Sequence, residues 1–249
     1  MLILLPPSEG KIPPRRGRSL DLSSLSFPQL TPLRESVVET VARLSAEPDA
    51  AGLLDVNPNL VDDLDRNTRL LTAPTATASN VYSGVLYQAL DLDSLDAASK
   101  RRANRWVVVV SALFGALRLS DRIPAYRVNI CSTLPGVGHL SSEWRREVTA
   151  ALEPSVKPRE LVVDCRSSTY AGVWRPTGER AERWVHVTVP GASHMAKHTR
   201  GLVVRRLVQA EAPRTPQALA ESLSAAFDVD LTAPARPGRP WQLATTPRA

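Results

Sequence analysis

The chain contains 249 residues, of which 43% are hydrophobic and 22% are charged. An apolar fraction of this size is typical of folded globular proteins and excludes a wholly disordered chain. The formal net charge is +6, from 31 basic and 25 acidic side chains. Arginine carries almost all of the positive charge, because the only lysines are Lys11, Lys100, Lys157 and Lys197.

The arginine excess has two interpretations. A GC-rich genome favours arginine and alanine over lysine, and composition alone favours this interpretation. Arginine also suits an anionic partner, because its planar guanidinium matches the geometry of phosphate oxygens. The positions of the arginines along the chain therefore carry more information than their number.

Cysteine usage and the lengths of the apolar runs bear on the cellular compartment. No apolar run approaches the roughly 18 residues that a membrane span needs, and the run at residues 2–5 is too short for the core of a signal peptide. Cys131 and Cys165 are too few for a disulfide framework, and no CxxC pair indicates structural zinc. We therefore expect a protein of the reducing cytoplasm.

The first half of the chain alternates helical patterns with two apolar runs. Residues 2–5 predict a buried strand that ends at Pro6 and Pro7, and the basic segment 8–18 predicts a loop. Apolar residues at helical spacing predict helices over 33–44, 58–71, 82–89 and 92–105, with a loop at 74–79. The β-branched run at 106–110 predicts a fully buried strand.

The second half continues the alternation. Strands are predicted at 126–130, 161–165 and 184–189, and helices at 141–152, with Ser141 as N-cap, and at 193–208. Thr215 before Pro216 predicts another helix, which runs to about residue 227. We therefore expect one α/β (or α+β) domain over residues 1–232, followed by a poorly ordered Pro- and Arg-rich tail over 233–249.

The predicted helix at 193–208 has two faces. The face that can pack on a core carries Ala196, Thr199, Val203 and Leu207, and the other carries His194, Lys197, His198, Gly201 and Arg205. A glycine in mid-helix costs about 1 kcal/mol relative to alanine, so another backbone or a ligand is expected close to Gly201. The cationic face suits a phosphate or a nucleic-acid backbone, and a solvated charged face explains it equally well.

Polar side chains cluster where the predicted strands end, which is where α/β proteins place their ligands. Ser111 and Gly115 follow the strand at 106–110, and Arg118, Asp121, Tyr126 and Arg127 come soon after. The strand at 161–165 is followed in the same way by Arg166, Ser167, Ser168 and Tyr170. Together with Ser8, Glu9 and Lys11 after the first strand, these residues predict one shared pocket.

Metal and cofactor motifs are absent from the sequence. It contains no phosphate-binding GxxxxGK[ST], no GxSxG and no HExxH. His194 and His198 lie four residues apart on a predicted helix, but no third ligand has matching spacing. We therefore expect neither a metal nor a cofactor.

Five segments give the chain a resemblance to a known family. They are LILLPPSEGK at the start, YSGVLYQALD, SALFGALRLSDRIPAYRVNI in the centre, VVDCRSSTY, and HMAKHTRGLVVRRLV near the end. In order and spacing they resemble the YaaA family of bacterial peroxide-stress proteins, over most of residues 1–210. The chain departs from the family pattern at Leu119 and at residues 165–168.

The resemblance implies a compact domain in which helices wrap a central mixed sheet. It also implies a cytosolic protein that limits damage from iron and peroxide. Members of the family are described as DNA-binding, with a positively charged cleft. The resemblance implies no settled catalytic mechanism.

Two functions remain open at this point, and both use an anionic ligand. The candidate binding residues are Lys11, Arg15, Arg16, Arg118, Arg127, Ser167, Ser168, Tyr170, Lys197, Arg200 and Arg205. The preferred hypothesis is a peroxide-stress protein that binds DNA through phosphate contacts, with Tyr82, Tyr126 or a tryptophan stacking on bases.

The second hypothesis is an enzyme that acts on a small anionic or nucleobase-like substrate. Its candidate catalytic residues are Lys197, Ser111, Asp121 and Tyr126. Lys197 would act as base or nucleophile if desolvation lowered its pKa. A closed pocket of several hundred Å³ favours the enzyme, whereas an open basic groove favours nucleic acid.

Overall fold

A computed structural model describes residues 1–191 and 193–248. The strands are β1 (Leu2–Leu5), β2 (Ala76–Thr77), β3 (Val107–Ser111), β4 (Gly115–Leu117), β5 (Arg122–Ile123), β6 (Thr133–Leu134), β7 (Gly138–His139), β8 (Val162–Asp164), β9 (Trp184–Thr188), β10 (Phe227–Thr232) and β11 (Trp241–Pro247). The α-helices are α1 (Thr31–Leu44), α2 (Ala50–Leu53), α3 (Val61–Asn67), α4 (Ala78–Val81), α5 (Val85–Leu90), α6 (Ala97–Trp106), α7 (Leu140–Leu152), α8 (Ser168–Ala171), α9 (Ser193–Gln209) and α10 (Pro216–Ser224).

A seven-stranded mixed sheet forms the centre of the fold, in the order β10-β11-β9-β8-β1-β3-β4. The strands from β11 to β3 run parallel, and β10 and β4 are antiparallel edges. Every residue of β1, β3 and β8 is buried, as expected for parallel strands covered on both faces. The predicted α/β domain with a central mixed sheet is therefore confirmed.

The central strands determine where a ligand site can form. β1 lies between β3 and β8, with Ile3 beside Val107 on one side and Val163 on the other. Because the three strands are parallel, the loops that follow them leave the same edge of the sheet. The strand ends at Leu5, Ser111 and Asp164 therefore bring their loops together.

Two predicted elements are wrong in detail. Residues 126–130 form no strand, because the Asn67 side-chain amide bonds both the N–H and the carbonyl of Arg127, at 2.9 and 2.6 Å. Ser141 does not cap its helix, which begins at Leu140; its hydroxyl lies 3.0 Å from Nδ1 of His139 instead. The predicted cap at Thr215 is confirmed, since its hydroxyl accepts a hydrogen bond from the Ala218 N–H.

Helix lengths and one loop also differ from the predictions. The helix predicted over 58–71 is reduced to α3, and the helix predicted from residue 92 begins as α6 at Ala97. The loop predicted at 74–79 contains β2 and the start of α4.

The end of the chain differs most from expectation. Instead of a poorly ordered tail, β11 lies between β10 and β9 and pairs with both. Leu243 and Thr245 are buried there, and their alternation with exposed positions was hidden by the surrounding prolines and arginines. Residues 233–240, here called the arm, connect β10 to β11.

Gly201 lies where α9 crosses α5. A Cβ at this position would come within 2.2 Å of the Leu86 carbonyl oxygen and 2.7 Å of Ala89 Cβ. The glycine therefore admits a neighbouring helix backbone, which is one of the two explanations that the sequence left open.

None of the described helices is long and apolar enough to cross a lipid bilayer.

We predict that Gly201→Ala destabilises the fold by about 1–3 kcal/mol, because the added methyl group has no space between α5 and α9. Urea unfolding followed by circular dichroism measures this change. Gly10→Ala is the control, since the nearest atom to its added Cβ lies 3.6 Å away. Equal stability of the two variants would contradict the close helix contact.

Candidate functional site

A cavity of about 510 Å³ opens beside the carboxyl ends of β1 and β8. We call it the lysine cavity. Its lining comprises Pro6, Pro7, Ser8, Glu9, Gly10, Lys11, Asp55, Val56, Asn57, Gly84, Val85, Leu86, Tyr87, Tyr126, Arg127, Val128, Asn129, Ile130, Ser167, Thr169, Tyr170, Lys197 and Arg200.

The loop after β1 is fixed by hydrogen bonds to the start of α5. Ser8 Oγ accepts the Gly84 N–H at 2.7 Å, and the Tyr87 hydroxyl donates to the Pro6 carbonyl at 2.8 Å. Prolines at positions 6 and 7 end the strand, because neither can donate to the sheet. The loop consequently carries Lys11 to a backbone bridge with Tyr82.

The Lys11 amine lies against the face of Tyr126. Its nitrogen is 4.1 Å from the centre of the Tyr126 ring and donates to the Ser8 carbonyl at 2.7 Å. The ring face and the carbonyl both stabilise the ammonium form. They also hold the amine in one position at the cavity wall.

Burial of this amine has the opposite effect on its charge. Burial, followed by the nearby Arg127 guanidinium, lowers the pKa of Lys11 from 10.5 to about 7, although Asp63 and Glu9 favour the charged form. A lysine with this pKa exchanges a proton near neutral pH and can act as a general base or a nucleophile.

Three hydroxyl groups form a chain behind Lys11. Ser111 Oγ lies 2.7 Å from the Tyr126 hydroxyl, which lies 2.9 Å from the Tyr82 hydroxyl. Ser111 Oγ also accepts the N–H groups of Leu113 and Phe114. Because a hydroxyl has two acceptor sites and one hydrogen, Ser111 donates to Tyr126, and Tyr126 in turn donates to Tyr82.

Both tyrosines of this chain stay protonated. Burial raises the pKa of Tyr126 and of Tyr82 well above 10. The chain therefore holds the Tyr126 ring under Lys11 and adds no negative charge to the cavity.

The cavity is cationic. Lys11, Arg127, Lys197 and Arg200 line it, against the carboxylates of Glu9 and Asp55. Arg127 donates to the Glu9 carbonyl at 3.1 Å, and Arg200 donates to the Val187 carbonyl at 3.2 Å. Arg127 also pairs with the Glu9 carboxylate at 3.4 Å, so cationic side chains exceed carboxylates in the lining by four to two.

Comparison with known proteins identifies the family of this chain. The family model described as peroxide stress protein YaaA matches residues 1–231. The chain belongs to the YaaA peroxide stress family. A UPF0246 protein of Streptomyces coelicolor is 45% identical to it, and the aligned region covers 98% of this chain and 97% of the relative.

Two further relatives come from corynebacteria. A UPF0246 protein of Corynebacterium efficiens is 38% identical and covers 96% of this chain and 97% of its own length. One from Corynebacterium glutamicum is 35% identical, with 85% and 86% covered. The YaaA family match includes every residue that lines the lysine cavity, and it ends before the arm and β11.

The fold of this YaaA-family chain brings together part of the predicted site. The predicted residues that line the lysine cavity are Ser8, Glu9, Lys11, Tyr126, Arg127, Ser167, Tyr170, Lys197 and Arg200. Ser111 lies directly behind Tyr126, with its side chain fully buried. The predicted convergence of the strand ends is therefore what the structure shows, whereas the roles of these residues stay predictions.

Several other predicted residues lie elsewhere. Asp121 accepts hydrogen bonds from Ser26 and from the Arg118 N–H, so both of its oxygens hold a loop. Arg118 donates to the carbonyls of Arg105 and Val107. These side chains organise the segment after β4, and the structure assigns them no place in the lysine cavity.

The remaining basic candidates are also separated from the cavity. Arg205 donates to the carbonyls of Leu90 and Asp91 at the end of α5. Arg15 and Arg16 are exposed in the loop after β1, and Ser168 lines a second cavity described below.

The two cavity lysines differ in burial from what was predicted. Lys197 is exposed at the cavity wall, whereas Lys11 is half-buried there, and desolvation lowers the pKa of Lys11. No local pattern around Lys11 predicts its burial, because that burial depends on Tyr82 and Tyr126 from distant segments.

The prediction also omitted part of the wall. Tyr87, Asn57, Asn129 and Asp55 line the cavity without having been candidates. Tyr87 lies within the YSGVLYQALD segment and Asn129 within SALFGALRLSDRIPAYRVNI, so both belong to segments that carry the family resemblance.

We predict that Lys11 makes stability depend on pH. The pKa of Lys11 is about 7 in the folded chain and 10.5 as its ordinary value, so between these values the unfolded chain binds a proton that the folded chain does not. The free energy of unfolding of the wild type should therefore rise relative to that of Lys11→Met as pH increases from about 7 to about 10. Below about pH 6 the difference should be constant, since both states carry the charge.

Urea unfolding of both proteins across this range measures the difference. Lys157→Met, which removes an exposed lysine, controls for the loss of one surface charge. A difference between wild type and Lys11→Met that is independent of pH would contradict the assigned burial of the amine.

Proposed function

We propose that this YaaA-family chain is an enzyme that binds a small anionic, nucleobase-like molecule in the lysine cavity, with Lys11 as the proton acceptor. The observation that carries the proposal is the position of the Lys11 amine, against the Tyr126 ring and inside a cavity with three further cations. A cavity of 510 Å³ has the size of a small-molecule site. We also infer that the activity serves the peroxide stress response for which the family is named.

The lining supports this class of ligand. Arg127, Lys197 and Arg200 can pair with a phosphate or carboxylate. Tyr87 and Tyr170 add aromatic surface on which a planar ring can stack. Asn57 and Asn129 supply amide donors and acceptors for the edge of such a ring.

Lys11 would supply the acid–base chemistry. Its neutral amine takes a proton from an N–H, O–H or acidic C–H group of the bound molecule and becomes an ammonium. The Ser8 carbonyl and the Tyr126 ring stabilise that ammonium. The Ser111–Tyr126–Tyr82 chain keeps the ring in place during the transfer.

We expect trinitrobenzenesulfonate at about pH 7 to modify Lys11 at least about tenfold faster than the exposed Lys157, because only a deprotonated amine reacts. Peptide mass spectrometry measures the rate at each lysine. Adenosine monophosphate, an anionic nucleobase derivative, should slow modification of Lys11 and leave that of Lys157 unchanged.

Arg127→Gln should weaken this protection, because it removes a cation from the lining, while Arg43→Gln on α1 should not. If Lys11 reacts no faster than Lys157 and the nucleotide gives no protection, the proposed site is wrong.

Nucleic-acid binding is the second candidate. It is supported by three exposed arginines in the loop after β1, Arg15, Arg16 and Arg18. The structure reduces the number of other candidates, since Arg118 and Arg205 donate to backbone carbonyls. DNA binding therefore depends on this loop more than the sequence suggested.

If the chain binds DNA, affinity for a fluorescent oligonucleotide should fall steeply between about 50 and 200 mM salt. The triple variant Arg15→Gln/Arg16→Gln/Arg18→Gln should bind more weakly and show a smaller salt dependence, whereas Lys11→Met should bind like the wild type. Fluorescence anisotropy measures both quantities. Absence of binding at about 50 mM salt would rule out this function.

A cytoplasmic location also stays a proposal. It is supported by the thiols of Cys131 and Cys165, which are both free, as expected in a reducing compartment.

A further inference from the structure

A second cavity, of about 840 Å³, lies between the sheet and the arm. We call it the arm cavity. Its lining comprises Asp164, Ser168, Ala171, Arg175, Trp184, His186, residues 232–240 and Gln242. The short helix α8 separates the two cavities, since Thr169 and Tyr170 line the lysine cavity while Ser168 and Ala171 line this one.

The floor of the arm cavity is a row of polar side chains on four neighbouring strands. Asp164 is paired with His186, His186 with Gln242, and Gln242 with Thr232. Paired residues of adjacent strands point to the same face of a sheet. Asp164 is buried, His186 and Gln242 are half-buried, and Thr232 is exposed at the edge strand, so the row presents polar groups to the cavity.

The floor carries no uncompensated negative charge. The Asp164 carboxylate is neutralised by Arg166, with bonds of 2.9 and 2.7 Å and both side chains fully buried. The Nε2 atom of His186 is buried and has no hydrogen-bond partner among the described residues. The floor therefore presents no free carboxylate to an anion.

The rim adds three cations. Arg175, Arg236 and Arg239 line the cavity and are exposed. Within residues 1–191 and 193–248, none of the three forms an ion pair. Free guanidinium groups gathered around one cavity are the usual means of binding phosphate.

We propose that the arm cavity is a binding site for an organic phosphate monoester. Arg175, Arg236 and Arg239 would hold the phosphate. Pro234, Pro237, Pro240 and Ala171 provide an apolar wall for the organic group. The ester should therefore bind more tightly than inorganic phosphate does.

This site is independent of the function proposed for the lysine cavity. The arm and Gln242 lie beyond residue 231, where the match to the family model ends. The alignment with the relative from Streptomyces coelicolor covers 98% of this chain, so it includes the arm. We infer a site added at the end of the shared domain.

Nuclear magnetic resonance can test the site directly with the full chain. The Trp184 indole N–H bonds Asp164 at 3.2 Å beside the cavity, so its signal reports on the floor. Titration with phenyl phosphate should shift this signal, with an affinity at least about tenfold higher than for inorganic phosphate, because phenyl burial adds to phosphate binding.

Variants assign the effect to the arm. Arg236→Gln/Arg239→Gln should weaken phenyl phosphate binding at least about tenfold. Arg43→Gln/Arg101→Gln removes the same charge from exposed positions of α1 and α6 and should change it less than about twofold. Arg127→Gln, in the lysine cavity, should also leave it unchanged.

Three outcomes would overturn the proposal. One is the absence of a Trp184 shift at millimolar phenyl phosphate. Another is equal weakening in both double variants, which indicates a general charge effect. The third is equal affinity for phenyl phosphate and inorganic phosphate, which would show that the apolar wall does not bind the organic group.

Discussion

The burial of β1 between β3 and β8 is the constraint on which the rest of the structure depends. All three strands are buried throughout and run parallel, so their chains leave the sheet at one edge, where backbone groups lose their sheet partners. Buried backbone groups without partners are costly. Side chains satisfy them here: Ser111 Oγ accepts two N–H groups after β3, and Tyr87 donates to the Pro6 carbonyl after β1. The polar residues that follow each strand therefore stabilise the sheet edge, whether or not they also bind a ligand.

The same packing creates the chemistry of the lysine cavity. The loop after β1 is held on α5 through Ser8 and Gly84, and this contact carries Lys11 over Tyr126. Tyr126 is itself held by Ser111 at the end of β3. The amine is thus placed by two adjacent strands and cannot withdraw into water without breaking these contacts. Its pKa of about 7 follows mainly from the burial that the sheet imposes.

Sequence reasoning succeeded where a local pattern had one physical meaning. The apolar runs of β1, β3, β8 and β9 can only be buried strands in a chain of this composition, and their parallel order brought Lys11, Ser167 and Tyr126 to one place. It failed where the partner of a residue lies far along the chain. Asn67 keeps 126–130 out of a sheet from 60 positions away. Prolines and arginines flank β11 and hide its strand pattern, which forms by pairing with β9 and β10. Burial of Lys11 rather than Lys197 has the same origin.

Arginine has three different roles in this fold, which its abundance alone conceals. Arg34, Arg118 and Arg205 donate to backbone carbonyls and connect loops and helix ends to the core. Arg127 and Arg200 line the lysine cavity, and Arg175, Arg236 and Arg239 line the arm cavity. A guanidinium has five N–H donors, so an arginine that donates to carbonyls keeps fewer of them for a ligand; this holds for Arg127 and Arg200 as well, since each donates to one carbonyl. Cationic side chains therefore line two cavities on either side of α8, a placement that the net charge of +6 does not show.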